Sequence, residues 1–449
     1  MQPADKPTNV RWVVFSLACG TSWLLYLHRY SFALFKPELV KQWELSKTEL
    51  GLLDGAFSIG SIGFQIPFGV AADAVGVRLV LTCLLVLGSV GLGMHAWAPS
   101  PKYLWPARLV FGIGQSAVYA CLSRIAQTWF PPRIRTALQS TAAITFGRLG
   151  GLTANLILGG VVLGLYGVDW RVATNVMAAG GVIFAIAVAL VFRNSPREQP
   201  LANEAEADLI DPPQAATADT PPRMSVSQML RSLRPAAVPN FVWLNVQTIL
   251  STFADNIYSH WIPLFLWEVH QLKFGPLGLY SSLPLLGGAI AGILGGMLND
   301  GCIAASGNRR WSRRVVAICG KGLAAVLLLA ALAWYHNPYV FCWFLFAVKF
   351  FGDWSLATSW GVVTDIGGRA TASVFAVNNT VAGIGLFAAP IVFGFVADHW
   401  GWPAVFVAVA VAYILCALSW LGIDSTQPLL DDRKPLSPGP QAGQIGQVG

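Results

Sequence analysis

Long runs of apolar residues, separated by short polar or Pro/Gly-containing stretches, make up most of this chain. About 20 apolar residues are the length that an α-helix needs to cross a bilayer. Because only helices and closed barrels satisfy the backbone in hydrocarbon, runs of this length predict an all-α integral membrane protein. We count twelve such spans, near residues 12–34, 49–71, 79–97, 103–127, 137–164, 171–192, 239–267, 277–298, 315–335, 339–362, 371–396 and 403–421.

The composition agrees with a membrane protein and excludes three other classes. Of the 449 residues, 55% are apolar and 11% are charged. An ordinary soluble domain carries about 25% charged residues, so a soluble enzyme and a disordered chain are both excluded. The net charge of +7 does not indicate nucleic acid, because most Lys and Arg residues lie in loops on one side of the membrane. That bias predicts a multi-pass protein of the plasma (inner) membrane with both termini in the cytosol.

The apolar pattern is interrupted once inside the chain and stops near its end. Residues 194–236 are rich in Pro, Ala, Asp and Glu and have no apolar period, which predicts a mostly disordered cytosolic linker. We therefore expect a six-helix bundle over 1–193, the linker, a second six-helix bundle over 237–423 and a disordered cytosolic tail over 424–449. The seven cysteines have neither disulfide nor metal spacing, and we expect no metal and no cofactor.

The two halves carry matching landmarks at nearly the same separation along the chain. Asp73 and Asp300 follow spans 2 and 8. Trp170 and Trp402 lie at the start of spans 6 and 12, and Arg135 and Arg369 lie in the 4–5 and 10–11 loops. Two repeats of six helices are typical of a secondary transporter whose site lies near the bilayer midplane, between the halves.

Several motifs place these repeats in a known family. The loop Gly69-Val-Ala-Ala-Asp73-Ala-Val-Gly76-Val-Arg78 resembles the signature of the major facilitator superfamily. A finer likeness is to the anion:cation symporter family, which includes hexuronate, galactonate, phthalate and vesicular glutamate carriers. That likeness is carried by Tyr26-Leu-His-Arg29, Arg108-Leu-Val-Phe-Gly112-Ile-Gly114-Gln115, Arg124-Ile-Ala-Gln-Thr-Trp129-Phe-Pro131 with Arg135, and Asp365 to Arg369 with Asn378 and Pro390. Residues 26–51 also resemble the organophosphate:phosphate antiporters.

Charged side chains inside spans are costly and normally face a partner or a cavity. Arg29 lies deep in the first span, and the resemblance implies that it grips the substrate anion, with a structural ion pair as the alternative. Arg108 of the fourth span is, by resemblance, a second anion contact or an outer gate partner, and otherwise a structural pair. Arg148 of the fifth span is either a third anion contact or the partner of an acid in span 8 or 10.

Further candidates are aromatic residues of the site and charges at the cytosolic gate. Tyr26, Tyr30, Trp261 and Trp360 are candidates for contacting a sugar-like substrate, with ordinary packing as the alternative. The family resemblance implies a cytosolic gate of charge pairs that break when that side opens, and we assign Asp73, Arg78, Arg124 and Asp300 to it. Lys349 and Asp353 are four residues apart on one helix and are expected to pair with each other.

The residues expected to couple transport to an ion depart from the family pattern. Proton-coupled members carry Asp just before the first-span arginine and Glu seven residues after the fourth-span arginine, where this chain has His28 and Gln115. His28 is one candidate proton carrier, with a core histidine as the alternative. Asp255 of the seventh span is the other. It would pair with Arg29 in the empty site and bind a proton when the anion binds to Arg29. The alternatives for Asp255 are a structural ion pair and a polar position at the rim of the site.

These observations predict a monomeric secondary transporter, not an enzyme, and no catalytic residue. We expect it to import a small organic anion, a sugar acid or another carboxylate, by symport with protons, with sodium as the second choice. A uniporter or an anion exchanger would explain why His28 and Gln115 stand where proton-coupled members of the family carry Asp and Glu. A transporter-like ligand sensor would signal through the linker or tail. A cationic drug exporter needs an acidic cavity, and the basic residues of spans 1, 4 and 5 argue against it.

Overall fold

The computed structural model describes residues 7–131, 134, 138–139, 141–210, 234–368 and 371–429. Within them the predicted all-α class is confirmed. The N-terminal half consists of α1 (Val10–Trp43), α2 (Lys47–Gly63, continuing as Gln65–Val75), α3 (Val77–Ala96), α4 (Pro101–Gln115, continuing as Val118–Trp129), α5 (Thr141–Leu165, largely π-helical) and α6 (Trp170–Val191). The C-terminal half consists of α7 (Val238–His260, continuing as Ile262–His270), α8 (Phe274–Ser306), α9 (Arg309–Ala331), α10 (Pro338–Gly352, continuing as Trp354–Gly367), and α11 and α12.

The last two helices form one helical stretch, Thr371–Ser419, which breaks at Gly401. Gly401 has φ 76°, a left-handed conformation that favours glycine, and it separates α11 (371–400) from α12 (402–419). Ten described helical stretches are long and apolar enough to cross a membrane, and this pair counts as one of them. The broken helix α7 is not among the ten, because its sequence is more polar. The twelve predicted spans therefore correspond to α1–α12.

Every second connection between helices lies on the same side of the bundle. We call the side where α1 begins and α12 ends the termini face, and the side of the loops at 44–46, 97–100 and 271–273 the opposite face. At the opposite face Ser46 caps α2, accepting a hydrogen bond from the N–H of Glu49, whose side chain bonds back to the Ser46 N–H. The termini face is the side predicted to be cytosolic.

The two halves pack closely toward the opposite face. A Cβ at Gly51 of α2 would lie 2.3 Å from the carbonyl oxygen of Pro390 in α11. A Cβ at Gly278 of α8 would lie equally close, 2.3 Å, to the carbonyl oxygen of Asn155 in α5. Glycine thus lets the backbones of opposing halves touch.

The same helices separate toward the termini face. A Cβ added to Gly63 or Gly69 of α2, or to Gly292 or Gly301 of α8, would meet nothing within 4 Å. The halves are therefore packed less tightly toward the termini face than toward the opposite face, and this difference defines a crevice between them on the termini side. We call it the central crevice.

Residues 204–210 of the predicted, mostly disordered linker are helical. A short helix, Glu204–Ile210, packs against the start of α1. The fully buried Glu206 carboxylate accepts hydrogen bonds from the N–H groups of Val10 and Arg11, both at 3.0 Å, and from the Thr8 hydroxyl. A carboxylate at a helix N-terminus satisfies unpaired donors and the helix dipole.

The rest of the linker, the end of the tail and one repeat landmark lie outside the described residues, namely 211–233, 430–449, Arg135 and Arg369. The start of the predicted tail packs on the C-terminal half, where the Leu429 N–H donates to the Ile366 carbonyl at 2.8 Å. Burial alone would raise the pKa of Asp424, but hydrogen bonds from Thr426 and the Arg310 charge hold it below its usual value. The predicted domain boundaries stay predictions.

Replacing Gly51 by Ala is expected to open the opposite face. The new methyl group overlaps the Pro390 carbonyl oxygen, and overpacking of this kind costs about 1–3 kcal/mol, which is enough to shift a two-state equilibrium at least about fivefold. The measurement is the alkylation rate of a cysteine at buried Ser58, in a variant without native cysteines, by a membrane-impermeant maleimide. Gly63→Ala on the same helix is the control, and equal rates in both variants would contradict close packing at Gly51.

Candidate functional site

Arg29 is a half-buried cation in the middle of α1. Its Nε donates to Oε1 of Gln115 at 3.0 Å, and its guanidinium stands 5.0 Å from the Tyr26 ring and 5.2 Å from the Phe57 ring. Among the described residues, no Asp or Glu lies within ion-pair distance of it. An uncompensated guanidinium at membrane depth attracts an anion, because its planar donors match a carboxylate bidentately.

Three tyrosines surround this arginine. The Tyr26 ring lies 6.2 Å from the Tyr30 ring and 6.4 Å from the Tyr119 ring. Helix α5 approaches them closely, since a Cβ at Gly150 would meet Tyr26 at 3.0 Å. The predicted contacts Tyr26 and Tyr30 therefore lie beside Arg29, together with Tyr119, which the sequence analysis missed.

A chain of alternating charges crosses the middle of the molecule. Arg148 of α5 pairs with Asp353 of α10 at 2.6 Å, Asp353 with Lys349 at 2.7 Å, and Lys349 with Asp255 of α7 at 3.0 Å. The Tyr413 hydroxyl donates to Asp255 at 2.8 Å. We call Arg148, Asp353, Lys349 and Asp255 the charge chain. Its first link joins the two halves of the protein.

Three expectations about these residues have different outcomes. Lys349 and Asp353 pair as their spacing predicts. The predicted pair between Asp255 and Arg29 is wrong for this conformation, because the Asp255 carboxylate contacts Lys349 and Tyr413 instead. Arg148 pairs with an acid of α10, which was the alternative to its role as an anion contact.

A second cluster of charges lies toward the opposite face and is almost fully buried. Asp54 of α2 contacts Arg108 of α4 at 2.5 Å and Lys36 of α1 at 2.6 Å. The Lys36 ammonium also donates to the carbonyl of His260 in α7 at 2.7 Å and stands 3.9 Å from the Trp261 ring. We call these five residues the gate cluster. They tie the N-terminal half to the C-terminal half on the closed side.

The gate cluster corrects two predicted substrate contacts. Arg108 is 1% exposed and pairs with Asp54, which fits an outer gate partner or a structural pair and not an anion contact in this conformation. Trp261 is 0% exposed between Lys36 and the Trp402 ring, so it does not line the central crevice. The sequence analysis missed Lys36 as a gate residue, because the predicted first span ends near residue 34 whereas α1 continues to Trp43.

Two other candidates contact groups other than Arg29. The buried His28 ring faces α3 and α6, where it lies against Ser89 and Gly181. This position fits the alternative of a core histidine and not a proton carrier in the crevice. The Trp360 ring packs on Phe375 between α10 and α11, at 5.7 Å, and not beside Arg29.

At the termini face, ion pairs form within each half. Arg124 lies 3.8 Å from Asp73, as the predicted gate requires. Arg78 instead donates to the Ala189 carbonyl at 2.8 Å. In the other half the acid that pairs is Asp365, 2.8 Å from Arg313, whereas Asp300 has no ion pair among the described residues. The predicted gate pairs break when this side opens, so the assignment of Arg78 and Asp300 to the gate stays a prediction.

The chain matches a known family and resembles proteins of known function. The profile of the Major Facilitator Superfamily matches residues 18–302 and 248–442. A probable sulfoacetate transporter of Cupriavidus necator is 27% identical over 407 residues, covering 88% of this chain and 89% of the relative. The hexuronate transporter of Escherichia coli K12 is 26% identical over 447 residues, covering 95% of this chain and 96% of the relative.

Solved structures share the fold. A bacterial homologue of the human lysosomal transporter Spinster, in an inward-facing and occupied conformation, matches with a TM-score of 0.72 at 17% identity, covering 92% of this chain and 96% of the other. A D-xylose–proton symporter also matches with a TM-score of 0.72, at 16% identity, covering 92% of this chain and 98% of the other.

Proposed function

Because the chain belongs to the Major Facilitator Superfamily, it is a multi-pass membrane protein of a transporter family and not an enzyme, and we propose that it carries a small organic anion across the membrane. The observation that carries this proposal is Arg29, a guanidinium in the middle of the membrane-spanning helix α1 with no acidic partner among the described residues. Relatives with similarity over most of their length are named for sulfoacetate, hexuronate, galactarate or D-glucarate, and D-galactonate. These names favour a sugar acid or another small carboxylate.

Transport follows from alternating exposure of one site. In the described conformation the central crevice opens to the termini face, and the gate cluster closes the opposite face. Opening the opposite face would separate Lys36 from His260 and Trp261, while Lys36 keeps Asp54 within its own half. The halves would then rock about a fixed site at Arg29, the motion that inverted-repeat transporters use. An anion on Arg29 lowers the cost of this motion by compensating the buried charge.

We propose that the anion is imported into the cytosol across the plasma (inner) membrane, with both termini cytosolic, by symport with a proton or, as the second choice, sodium. Gln115 cannot titrate, and His28 faces away from the crevice. Asp255 is the better candidate, because its side chain is 27% exposed and belongs to the charge chain. A proton on Asp255 would add one positive charge to the site and thereby favour an anion.

A uniporter or an anion exchanger is the second candidate. The observation that favours it is the hydrogen bond between Arg29 and Gln115, because an amide stands where coupled relatives of this type carry a titratable carboxylate. In that case no proton would accompany the anion.

Substitution of Asp255 by Asn is expected to separate accumulation from exchange. The test is uptake by proteoliposomes that contain the full chain, with radiolabelled D-glucuronate, D-galactonate, D-glucarate and sulfoacetate, driven by a pH gradient. The wild type is expected to accumulate one of these anions, and Asp255→Asn to lose accumulation but keep counterflow. Accumulation that survives in the variant would show that Asp255 is not the residue that couples transport to the proton. Counterflow without any response to the gradient in the wild type would support the uniporter or exchanger.

A further inference from the structure

We propose that the substrate is a dianion, with one acidic group on Arg29 and the second on Arg148, an inference that rests on the proposed function and specifies its ligand. The charges around the central crevice carry it. Four cationic side chains and two carboxylates lie there: Arg29, Arg148, Lys321, Lys349, Asp255 and Asp353. Two positive charges are therefore unmatched among the described residues.

Lys321 belongs to this group although it is buried. It donates to the Ser251 hydroxyl at 2.8 Å, its ammonium stands 5.0 Å from the Tyr413 ring, and it lies within electrostatic reach of Asp255. No described carboxylate pairs with it directly. Because uncompensated charge at membrane depth is costly, a ligand with two negative charges balances this site while Asp255 is ionised, whereas a monoanion leaves one positive charge.

Arg148 is the cation that a second acidic group can reach. Its side chain is 15% exposed, whereas that of its partner Asp353 is 1% exposed. Asp353 also contacts Lys349 at 2.7 Å, so it keeps a counter-ion when Arg148 turns to a ligand. In the empty site, Asp353 thus occupies the place of the second acidic group.

Arg29 and Arg148 are placed to bind one molecule. Both belong to the N-terminal half, on the adjacent helices α1 and α5, and both lie within electrostatic reach of the Tyr30 hydroxyl. Glycines at 147, 150 and 151 bring α5 against Tyr26 and Tyr30. A short molecule with an acidic group at each end would therefore span the two guanidinium groups beside Tyr30.

The test compares ligands that differ by one charge. D-Gluconate and D-glucarate share a six-carbon chain and differ at C6, which is a hydroxymethyl group in one and a carboxylate in the other. Acetate and sulfoacetate form a second pair. Equilibrium binding is measured on the purified full chain in lipid nanodiscs. The wild type is expected to bind the dianion of at least one pair roughly 10- to 100-fold more tightly, the value of one charge-assisted contact.

Three variants and a control assign the contacts. Arg148→Gln is expected to remove the preference for the dianion and to leave the monoanion affinity nearly unchanged. Asp353→Asn frees Arg148 and is expected to keep or increase the preference. Arg29→Gln is expected to weaken both members of the pair. Lys102→Gln removes an exposed charge at the opposite face and is expected to change neither.

The outcomes distinguish this inference from the proposed function. Equal affinity for both members of each pair, or an equal loss of both in Arg148→Gln, overturns the dianion and leaves Arg148 as a structural partner of Asp353. Weakening by Arg29→Gln in the same data keeps the anion site. If no probe binds in a manner that depends on Arg29, both proposals fail. Arg148→Lys, which keeps the charge, is expected to retain part of the preference and shows that a loss in Arg148→Gln is not misfolding.

Discussion

Replacing Arg29 by Gln is expected to lower the affinity for the transported anion by at least about 100-fold and to abolish counterflow, because two charge-assisted hydrogen bonds are lost. Arg29 has no acidic partner among the described residues, so its removal breaks no ion pair there. The fold should therefore survive while the site is lost. The measurement is counterflow of the labelled anions in proteoliposomes, together with the thermal unfolding midpoint of the purified variant.

Two matched variants sharpen this prediction. Arg29→Lys keeps the charge but loses the planar fork, and we expect intermediate affinity. Arg171→Gln removes an arginine at the opposite face, where its Nε bonds to the Ala96 carbonyl, and should transport like the wild type. Normal counterflow in Arg29→Gln would show that the anion binds elsewhere.

The second large effect is expected at Asp54, because its replacement by Asn leaves two buried cations without a carboxylate. Lys36 and Arg108 are 0% and 1% exposed, and both contact Asp54. Breaking a buried pair by removing one partner costs about 3–5 kcal/mol. We expect a clearly lowered unfolding midpoint, and a shift of the surviving protein toward an open opposite face.

Lys36→Met is the control for the gate cluster. It removes one cation and leaves Asp54 paired with Arg108, so the loss of stability should be smaller than in Asp54→Asn. It also removes the bond to the His260 carbonyl, so it should still favour opening of the opposite face. Equal unfolding midpoints for Asp54→Asn and the wild type would contradict a buried gate cluster held together by the Asp54 carboxylate.

The sequence predicted the features that depend on one helix at a time. Apolar runs gave the spans, and four-residue spacing gave the contact between Lys349 and Asp353. The loop from Gly69 to Arg78 indicated the superfamily, and the profile match confirms it. Arg29 was identified as the anion clamp by resemblance, and the structure gives it no competing acid among the described residues.

Contacts between helices could not be predicted from the sequence, because they depend on how each helix is rotated and packed. Asp255 was expected to face Arg29, but α7 turns it toward Lys349 of α10 and Tyr413 of α12. Adjacent residues also point about 100° apart on a helix, so Arg29 faces the site while His28 faces α3 and α6. Only the packing of α1, α2 and α4 reveals that Asp54 pairs with both Lys36 and Arg108.

The most direct test of the Arg29 site is an experimental structure of the full chain in lipid nanodiscs with D-glucarate and, separately, with D-galactonate. We predict that a carboxylate of the bound anion lies within hydrogen-bond distance of the Arg29 guanidinium, beside Tyr26 and Tyr30 in the central crevice. An anion bound outside the crevice, or an Arg29 that is paired with a protein carboxylate while the anion is bound, would contradict this site.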